Sequence, residues 1–243
     1  MSENSCEQKT ILIGLSGCSS TGKTTLAKLA SQLLPNAILI HEDDFYKHDE
    51  DVPMNERYGI RDWDSPEALD MNLFEKELTS IKKSGEVSTV LIHNNNVDDV
   101  KKFSLSDQFL KALRDKIKHI DNSYKLVIVD GFMLFNDPKI STCLDLRLLI
   151  RAPYETLKRR RNARSGYQTL DSFWVDPPYY FDEFVYKSYE ESHRSLFKDN
   201  NVEGTLTAEA ASEIDDFNND DGVLIQDSLT WVIDKIVDYC ENK

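Results

Sequence analysis

"TILIGLSGCSSTGKTT", residues 10–25, is the stretch that decides the fold of this chain. Residues 10–16 form an apolar run typical of a buried strand, and the sequence "KTTLAKLASQLL" that follows has apolar residues at helical spacing. Between them, G-x-x-x-x-G-K-T at residues 17–24 matches the phosphate-loop pattern. Glycine lets backbone N–H groups turn around a phosphate, and the N-terminus of the following helix adds positive potential. The stretch therefore predicts a nucleotide site in which Lys23 faces the β- and γ-phosphates and Thr24 ligates magnesium.

The nucleotide-binding residues expected from this motif are Gly17, Cys18, Ser19, Ser20, Thr21, Gly22, Lys23, Thr24 and Thr25. A GTPase would also need an Asn-Lys-x-Asp stretch to read guanine, and the sequence has none. A motor or transporter ATPase would need further signature loops. A small kinase needs only an acceptor site beside the loop, so this class fits best, with ATP and Mg²⁺ as expected cofactors.

Composition restricts the remaining classes of function. The net charge of −14 opposes binding to a phosphate backbone, so no nucleic-acid partner is expected. No apolar run approaches the roughly 20 residues of a membrane helix, and no secretory signal is visible. The four cysteines have no paired spacing, which favours a reducing compartment over disulfides or zinc. We expect a cytoplasmic protein, with access to the nucleus left open, and favour a monomer.

Strands alternate with helices along the chain, and this pattern favours a parallel sheet covered on both faces. The predicted fold class is therefore α/β, a phosphate-loop kinase fold with a mostly parallel sheet and a small lid. We predict one domain, 1–243, with a flexible N-terminus at 1–9, a lid around 158–178 and an acidic, mobile segment at 203–221. The predicted strands are 10–16, 37–40, 87–92, 126–129, 144–150 and 222–226. Ser65 and Pro66 predict the start of a helix that ends at Gly85.

Carboxylates follow two of the predicted strands. Asp43 and Asp44 come after the second strand, and Asp130 ends "LVIVD". Ligands of doubly wound sheets bind at the carboxyl ends of the strands. Asp43 is therefore a candidate catalytic base or magnesium ligand, and Asp130 a candidate magnesium ligand, directly or through water. A solvated acidic turn is the alternative for each of them.

The run "KRRRNAR", residues 158–164, concentrates five positive charges in an acidic protein. It is compatible with a solvated helix face, with a nuclear-localisation patch, or with a lid that closes on the transferred phosphate. We favour the lid, because arginine forks match phosphate oxygens and neutralise charge in a transition state.

Several stretches together identify a family. "LSGCSSTGKTTLAKL", "HEDDFYK", "WDSPEAL", "VDGFMLFN", "RAPYETLKRRR" and "YQTLDSFWVDPPYYFDEFVY" occur in this order. They resemble the fungal nicotinamide riboside kinases, a branch of the phosphate-loop kinases related to uridine and pantothenate kinases. The likeness covers about residues 10–200, and "HEDDFYK", "WDSPEAL" and "YQTLDSFW" are its most selective parts. It implies that ATP phosphorylates the 5′-hydroxyl of nicotinamide riboside, and of nicotinic acid riboside, for NAD synthesis.

The resemblance also implies roles for individual residues. Asp43 would be the base and Asp64 the carboxylate that holds the ribose diol. Trp63 and Tyr167 would pack on the two faces of the pyridine ring, because an aromatic face attracts a cationic ring. The other implied contacts are Phe45 and Arg161 with substrate and Arg160 and Arg164 with phosphate. A further substrate-contacting aspartate is either Asp171 or Asp176, and the context "DPPYYFD" favours Asp176.

Two departures from the family pattern limit the comparison. Some members carry glutamate where this chain has Asp130, so direct contact with magnesium stays open. The loop at 93–99, "HNNNVDD", has no counterpart to which a role can be assigned.

Other functions remain open at this point. A uridine, cytidine or pantothenate kinase on the same scaffold is the alternative enzyme, although a pyrimidine reader would want amide or cationic donors around the base. A nucleotide-dependent binding module is the alternative class, which Lys23, Thr24, Asp43 and Asp130 argue against.

Overall fold

A computed structural model describes residues 9–88, 103–120 and 124–243. The bounds of its strands are β1 Lys9–Ser16, β2 Ile38–His41, β3 Met54–Asn55, β4 Ile60–Arg61, β5 Tyr124–Gly131, β6 Leu146–Arg151, β7 Tyr167–Gln168, β8 Phe173–Trp174 and β9 Asp215–Asn218. Five of them form a sheet in the order β2-β5-β1-β6-β9, and every pair in it is parallel. The other four form two short antiparallel hairpins. The predicted α/β class with a parallel central sheet is confirmed.

Helices cover both faces of this sheet. Their bounds are α1 Lys23–Leu33, α2 Met71–Ser84, α3 Asp107–Ile117, α4 Pro138–Ser141, α5 Tyr154–Asn162, a π-helix Phe181–Tyr186, α6 Lys187–His193, α7 Ala208–Glu213 and α8 Ile225–Glu241. Alternate residues of β1 separate the two cores: Ile11 and Ile13 pack against α1, α3 and α8, whereas Leu12 packs in the cluster of α2, α5 and the π-helix. A strand buried on both faces explains the continuous apolar run of the sequence.

Helix α2 begins later than the sequence predicts. Pro66 starts only a single 3₁₀ turn, Pro66–Ala68, and Leu69 is extended. The helix starts at Met71, where the Asp70 side chain accepts a hydrogen bond from the Leu73 N–H at 2.9 Å. The cause is tertiary: the Lys47 N–H bonds the Ala68 carbonyl at 2.9 Å, and the Asp70 N–H bonds the Phe45 carbonyl at 2.8 Å. Pairing with the segment after β2 thus holds Leu69 extended and delays the start of the helix to Met71.

The end of the chain corrects a second prediction. The expected strand at 222–226 is wrong, because Ile225 begins α8. The last strand is instead β9, inside the acidic segment 203–221 that was expected to be mobile and that also holds α7. Its register with β6 places Asp216 beside the strand that ends at Arg151, and these two side chains form an ion pair at 3.0 Å. Lys235 of α8 pairs with Asp215. These cations neutralise the charges that made the segment look unsuited to a sheet.

Several remaining predictions concern residues outside the described ranges. They are the flexible N-terminus apart from Lys9, the strand at 87–92 apart from Val87 and Ser88, and the loop at 93–99. Within the described residues, Cys18, Cys143 and Cys240 are free thiols. None of the described helices has the length and apolar character needed to cross a membrane.

Candidate active site

The phosphate loop connects β1 to α1, and two of its glycines are required by geometry. Gly17 has φ +150°, and a Cβ there would lie 2.1 Å from the backbone oxygen of Ile150 in β6. Gly22 has φ +93° and forms the N-cap of α1. Ser20, between them, also has a positive φ of 70°. The loop therefore turns sharply beside β6 and delivers Lys23 at the first turn of the helix.

A cleft of about 560 Å³ opens in front of this loop. Of the residues singled out from the sequence, those that line it are Ser19, Ser20, Gly22, Lys23, Thr24, Asp43, Trp63, Asp64, Arg161, Arg164 and Tyr167. These residues come from the phosphate loop, the turn after β2, the segment after β4, and the region from α5 to β7. The fold thus collects distant motifs of the sequence around one space.

Asp43 lies at the carboxyl end of the sheet, in the 3₁₀ turn Glu42–Phe45 that follows β2. Burial raises the pKa of its carboxyl group, and the positive charge of Lys23 opposes that shift. A carboxylate with a raised pKa is a stronger base, and the nearby ammonium favours its ionised form. The arrangement suits Asp43 to accept or orient a hydroxyl proton next to the phosphate loop.

Asp130, at the end of β5, is held by His41 at the end of β2. The His41 Nδ1–H donates to Asp130 Oδ2 at 2.9 Å. Burial disfavours the imidazolium, but the hydrogen bond and charge of Asp130 outweigh it and raise the pKa of His41. The other carboxylate oxygen, Asp130 Oδ1, is buried with no hydrogen-bond partner among the described residues.

Glu42 fixes the turn that follows β5. Its Oε2 accepts hydrogen bonds from the backbone N–H groups of Phe132 at 2.6 Å and Met133 at 3.0 Å. The side chain is fully buried, and burial raises its pKa to about 8 against the effect of these two donors. Glu42 thus ties the end of β2 to the end of β5, where Asp43 and Asp130 stand.

The donors present fit magnesium rather than a metal caged by protein. Thr24 and Asp43 line the cleft. The unpartnered oxygen of Asp130, whose charge acts on Asp43, is a third hard donor at the carboxyl end of the sheet. No group of three or more His, Cys, Asp or Glu residues among the described residues forms a metal cage. Mg²⁺ in kinases is bound by one or two protein oxygens together with substrate phosphates, so a sparse donor set is what it needs.

Trp63 and Asp64, in the segment after β4, line another part of the cleft. The Trp63 backbone N–H donates to the Tyr180 hydroxyl at 3.1 Å, and the Ser188 hydroxyl donates to the Asp64 carbonyl at 2.5 Å. Tyr180 immediately precedes the π-helix, and Ser188 lies in α6. Burial raises the pKa of Asp64 to about 6, although Arg161 lowers it. The structure therefore presents an indole and a poorly solvated carboxylate side by side.

Arg161 connects the parts of the site. Its Nε and Nη2 donate to Asp176 at 2.6 and 3.1 Å, and its Nη1 donates to the Ser19 hydroxyl at 2.7 Å. Its Nη2 also lies 4.0 Å from Asp64 Oδ2, and its guanidinium lies over the Tyr167 ring at 4.1 Å. Burial disfavours this charge, but Asp64 and Asp176 together hold the Arg161 pKa above its ordinary value.

The hairpin β7–β8 lines the cleft beside Arg161. Tyr167 lies at its start, largely buried, and burial raises its pKa to about 12. Trp174 at its end donates from Nε1 to Asp176 at 2.8 Å. Asp171 lies at the tip and faces away from the cleft, where it accepts from the Asp49 N–H at 2.9 Å. Of the two alternative aspartates, Asp176 is the one attached to the site, through Arg161.

Several residues singled out from the sequence do not line the cleft. Phe45 is buried in the core, and its ring centroid lies 4.6 Å from that of Phe74. Its side chain therefore packs in the core and does not line the cleft. Arg160 is turned away from the cleft to Asp221, at 3.2 Å, and to the Asn219 carbonyl. The others outside the lining are Gly17, Cys18, Thr21, Thr25, Asp130 and Asp176.

The basic run 158–164 is divided between two tasks. Arg161 and Arg164 face the cleft. Lys158 pairs with Asp182 at 2.8 Å, and Arg159 pairs with Asp221 together with Arg160. The run is therefore divided between two arginines that line the cleft and three basic side chains that pair with carboxylates outside it.

Sequence reasoning did not single out several residues that line the cleft, among them His41, Tyr46, Phe132 and Trp174. Tyr46 meets Trp63 edge to face with ring centroids 5.8 Å apart, and it stacks on Phe132 at 6.3 Å. His41 and Tyr46 flank Asp43 inside "HEDDFYK", so position at a strand end was a signal for both. Phe132 lies in the turn after β5, and Trp174 follows the turn of the β7–β8 hairpin; the sequence does not reveal the path of either turn.

Comparison with known proteins identifies the family of this chain. The family model described as phosphoribulokinase/uridine kinase matches residues 12–164. The nicotinamide riboside kinase of Saccharomyces cerevisiae is 56% identical over 97% of this chain and 99% of its own length. The enzyme of Eremothecium gossypii is 50% identical over 94% of this chain and 92% of its own length. That of Schizosaccharomyces pombe is 35% identical over 95% and 97%.

These relatives span both the phosphate loop and the C-terminal strand β9, so the likeness includes every element that lines the cleft. The chain belongs to the phosphoribulokinase/uridine kinase family, in the branch of the fungal nicotinamide riboside kinases.

Proposed function

We propose that this chain transfers the γ-phosphoryl group of ATP to the 5′-hydroxyl of nicotinamide riboside, giving the mononucleotide in NAD synthesis. Nicotinic acid riboside is the second substrate in this proposal. The family and the named relatives support a nucleoside kinase, and the alternative of a uridine, cytidine or pantothenate kinase is not favoured by them.

The observation that carries the proposal is the composition of the cleft in front of the phosphate loop. It is lined by the phosphate loop, by two carboxylates, Asp43 and Asp64, and by two aromatic side chains, Trp63 and Tyr167. A ribose diol is a pair of adjacent donors, which one carboxylate can accept together. Aromatic faces attract a flat cationic ring through their quadrupole. The cleft therefore offers one group for each part of a pyridinium riboside.

The residues of this chain then act as follows. Asp64 and the aromatic walls hold the nucleoside so that its 5′-hydroxyl points toward Asp43. Asp43 orients this hydroxyl and accepts its proton as the bond from O5′ to the γ-phosphorus forms and the bond to the β-phosphate oxygen breaks, releasing ADP. Lys23, Arg161 and Arg164 lower the energy of the charge spread over the transferred group.

Mg²⁺ is part of the proposal, with Thr24, Asp43 and Asp130 as the residues that would hold it. When bound, it neutralises phosphate charge and fixes the phosphate chain. A cytoplasmic location and a monomeric state, both expected from the sequence, stay predictions.

The test is the initial rate of ADP release by the purified chain with ATP and Mg²⁺ on nicotinamide riboside, nicotinic acid riboside, uridine, cytidine and pantothenate. The proposal expects the highest kcat/KM on the two pyridine nucleosides. A Trp63→Ala variant should lose most on these two and little ATP affinity. A higher kcat/KM on uridine or cytidine would overturn the substrate assignment.

A further inference from the structure

Asn219 is a buried junction that the reaction described so far does not use. It lies in the loop between β9 and α8, and it is 8% exposed. Its Nδ2 donates to the Thr21 carbonyl at 2.7 Å, and its Oδ1 accepts from the Ser228 hydroxyl at 2.8 Å. Its backbone N–H donates to the Arg151 carbonyl at 2.7 Å, and its carbonyl accepts from Arg160 at 3.0 Å. One residue thus joins the phosphate loop, β6, α8 and the lid helix α5.

The orientation of the Asn219 amide follows from its partners. The Thr21 carbonyl can only accept, so the amide must present its NH₂ group there. The Ser228 hydroxyl donates to Oδ1 and holds the amide in the same sense. The contact is also tight, since a Cβ on Gly22 would lie 2.8 Å from Asn219 Nδ2.

This contact has a consequence for the nucleotide site through the geometry of one peptide bond. The Thr21 carbonyl and the Gly22 N–H belong to the same trans peptide plane and point in opposite directions. Asn219 holds the carbonyl on the side away from the cleft, and Gly22 lines the cleft. Fixing the carbonyl therefore aims the Gly22 N–H toward the place of the phosphates. Without this anchor the peptide plane could adopt a wide range of orientations, because the residue after the carbonyl is a glycine.

We propose that Asn219 is a positioning residue of the nucleotide site: by anchoring the Thr21 carbonyl, it sets the direction in which the Gly22 N–H donates to the nucleotide phosphates. It acts through the loop and touches no substrate. The proposal rests on the proposed function only in that the nucleotide is ATP, and it does not depend on which nucleoside accepts the phosphate.

The test compares Asn219→Asp with Asn219→Ala and with the control Ser228→Ala. Asn219→Asp keeps the shape and the Ser228 bond but puts an oxygen against the Thr21 carbonyl. Asn219→Ala removes the anchor without adding a charge near the phosphates. Ser228→Ala removes a bond of the same buried network and leaves the contact to Thr21 in place. ATP affinity is measured by titration calorimetry without a nucleoside, beside the thermal midpoint and the KM for each substrate.

Loss of a buried hydrogen bond and its replacement by repulsion predicts an ATP Kd and KM raised about tenfold in Asn219→Asp. Asn219→Ala should raise both by about fivefold, and the KM for the nucleoside should stay within about twofold of the parent value in both variants. Ser228→Ala should lower the thermal midpoint and leave the ATP Kd within about twofold.

Three results would overturn the proposal. One is an unchanged ATP Kd in either folded Asn219 variant. Another is an equal rise in Ser228→Ala, which would mean that the whole network acts through stability. The third is an equal rise of both KM values. If nicotinamide riboside proves a poor substrate while ATP binding follows the prediction, the substrate assignment fails and the role of Asn219 stands.

Discussion

Replacing Asp176 with asparagine tests how the site holds Arg161. The two side chains form a two-point ion pair, with distances of 2.6 and 3.1 Å, and they are only 16% and 8% exposed. Asparagine keeps the shape and one acceptor oxygen but removes the charge. The guanidinium then has Asp64, 4.0 Å away, as its remaining anionic neighbour in this cluster.

The magnitude follows from this geometry. Removing one partner of a buried ion pair costs about 3–5 kcal/mol when the other charge is left alone. Here one hydrogen bond survives and Asp64 still balances the charge, so we take about half, roughly 2 kcal/mol. Because the freed guanidinium lies in the cleft beside Asp64, we expect this cost to appear in nucleoside binding; at about 1.4 kcal/mol per factor of ten, kcat/KM for the nucleoside should then fall roughly 30-fold.

The assay is steady-state kinetics with the nucleoside varied, at several pH values. Asp176 also raises the pKa of Asp64, so its neutralisation should move the acid limb of the kcat/KM profile to lower pH. Asp171→Asn is the matched control, because Asp171 lies at the tip of the β7–β8 hairpin and bonds only His48 and Asp49 among the described residues. An Asp176→Asn enzyme within twofold of the parent, or an Asp171→Asn enzyme that loses as much, would refute the reasoning.

Three further predictions concern other parts of the site. Asp43→Asn should lower kcat at least about 100-fold, since a general base contributes 10²–10⁴-fold; unchanged turnover would remove Asp43 from that role. Because the raised pKa of Asp64 is about 6, kcat/KM for the nucleoside should fall as the pH drops below about 6, where Asp64 gains a proton; Asp64→Asn should abolish that dependence, and its persistence would assign it elsewhere. Phe45→Leu should lower the free energy of unfolding by about 1–3 kcal/mol with little change in either KM, as chemical denaturation and kinetics would show. A change in the nucleoside KM that, expressed as a free energy, exceeds the loss of stability would make Phe45 a substrate contact.

The sequence was sufficient for the parts of the fold and site that depend on local pattern. An apolar run followed by G-x-x-x-x-G-K-T specifies strand, loop and helix together, because the loop requires both flanks. Asp43 and Asp64 likewise sit at predictable places, one at a strand end and one in a motif that the family shares.

The misplaced elements depend on tertiary partners. Residues 215–218 read as a charged, mobile stretch until Arg151 and Lys235 are placed beside them. Pro66 satisfies the rules for a helix start, yet backbone pairing with residues 45–47 delays the helix to Met71. Local propensity is a weak prior that such contacts override.

The placement of individual side chains around the cleft also depends on the fold. Arg160 and Arg161 are neighbours in one basic run, and only their placement on α5 decides that one meets Asp221 and the other the cleft. Phe45 lies two residues after Asp43 but points into the core. Asn219 carries no motif, and nothing in its neighbourhood of the sequence links it to Thr21, 198 residues away.

The central claim is tested most directly by competition in one vessel. Equal concentrations of nicotinamide riboside, uridine and cytidine are offered to the chain with limiting ATP and Mg²⁺, and the phosphorylated products are identified by mass spectrometry. The product ratio equals the ratio of kcat/KM values, free of differences in enzyme concentration or stability. The account predicts that nicotinamide mononucleotide is the main product, and that Asp43→Asn forms almost none. A mixture dominated by uridine or cytidine monophosphate would contradict it.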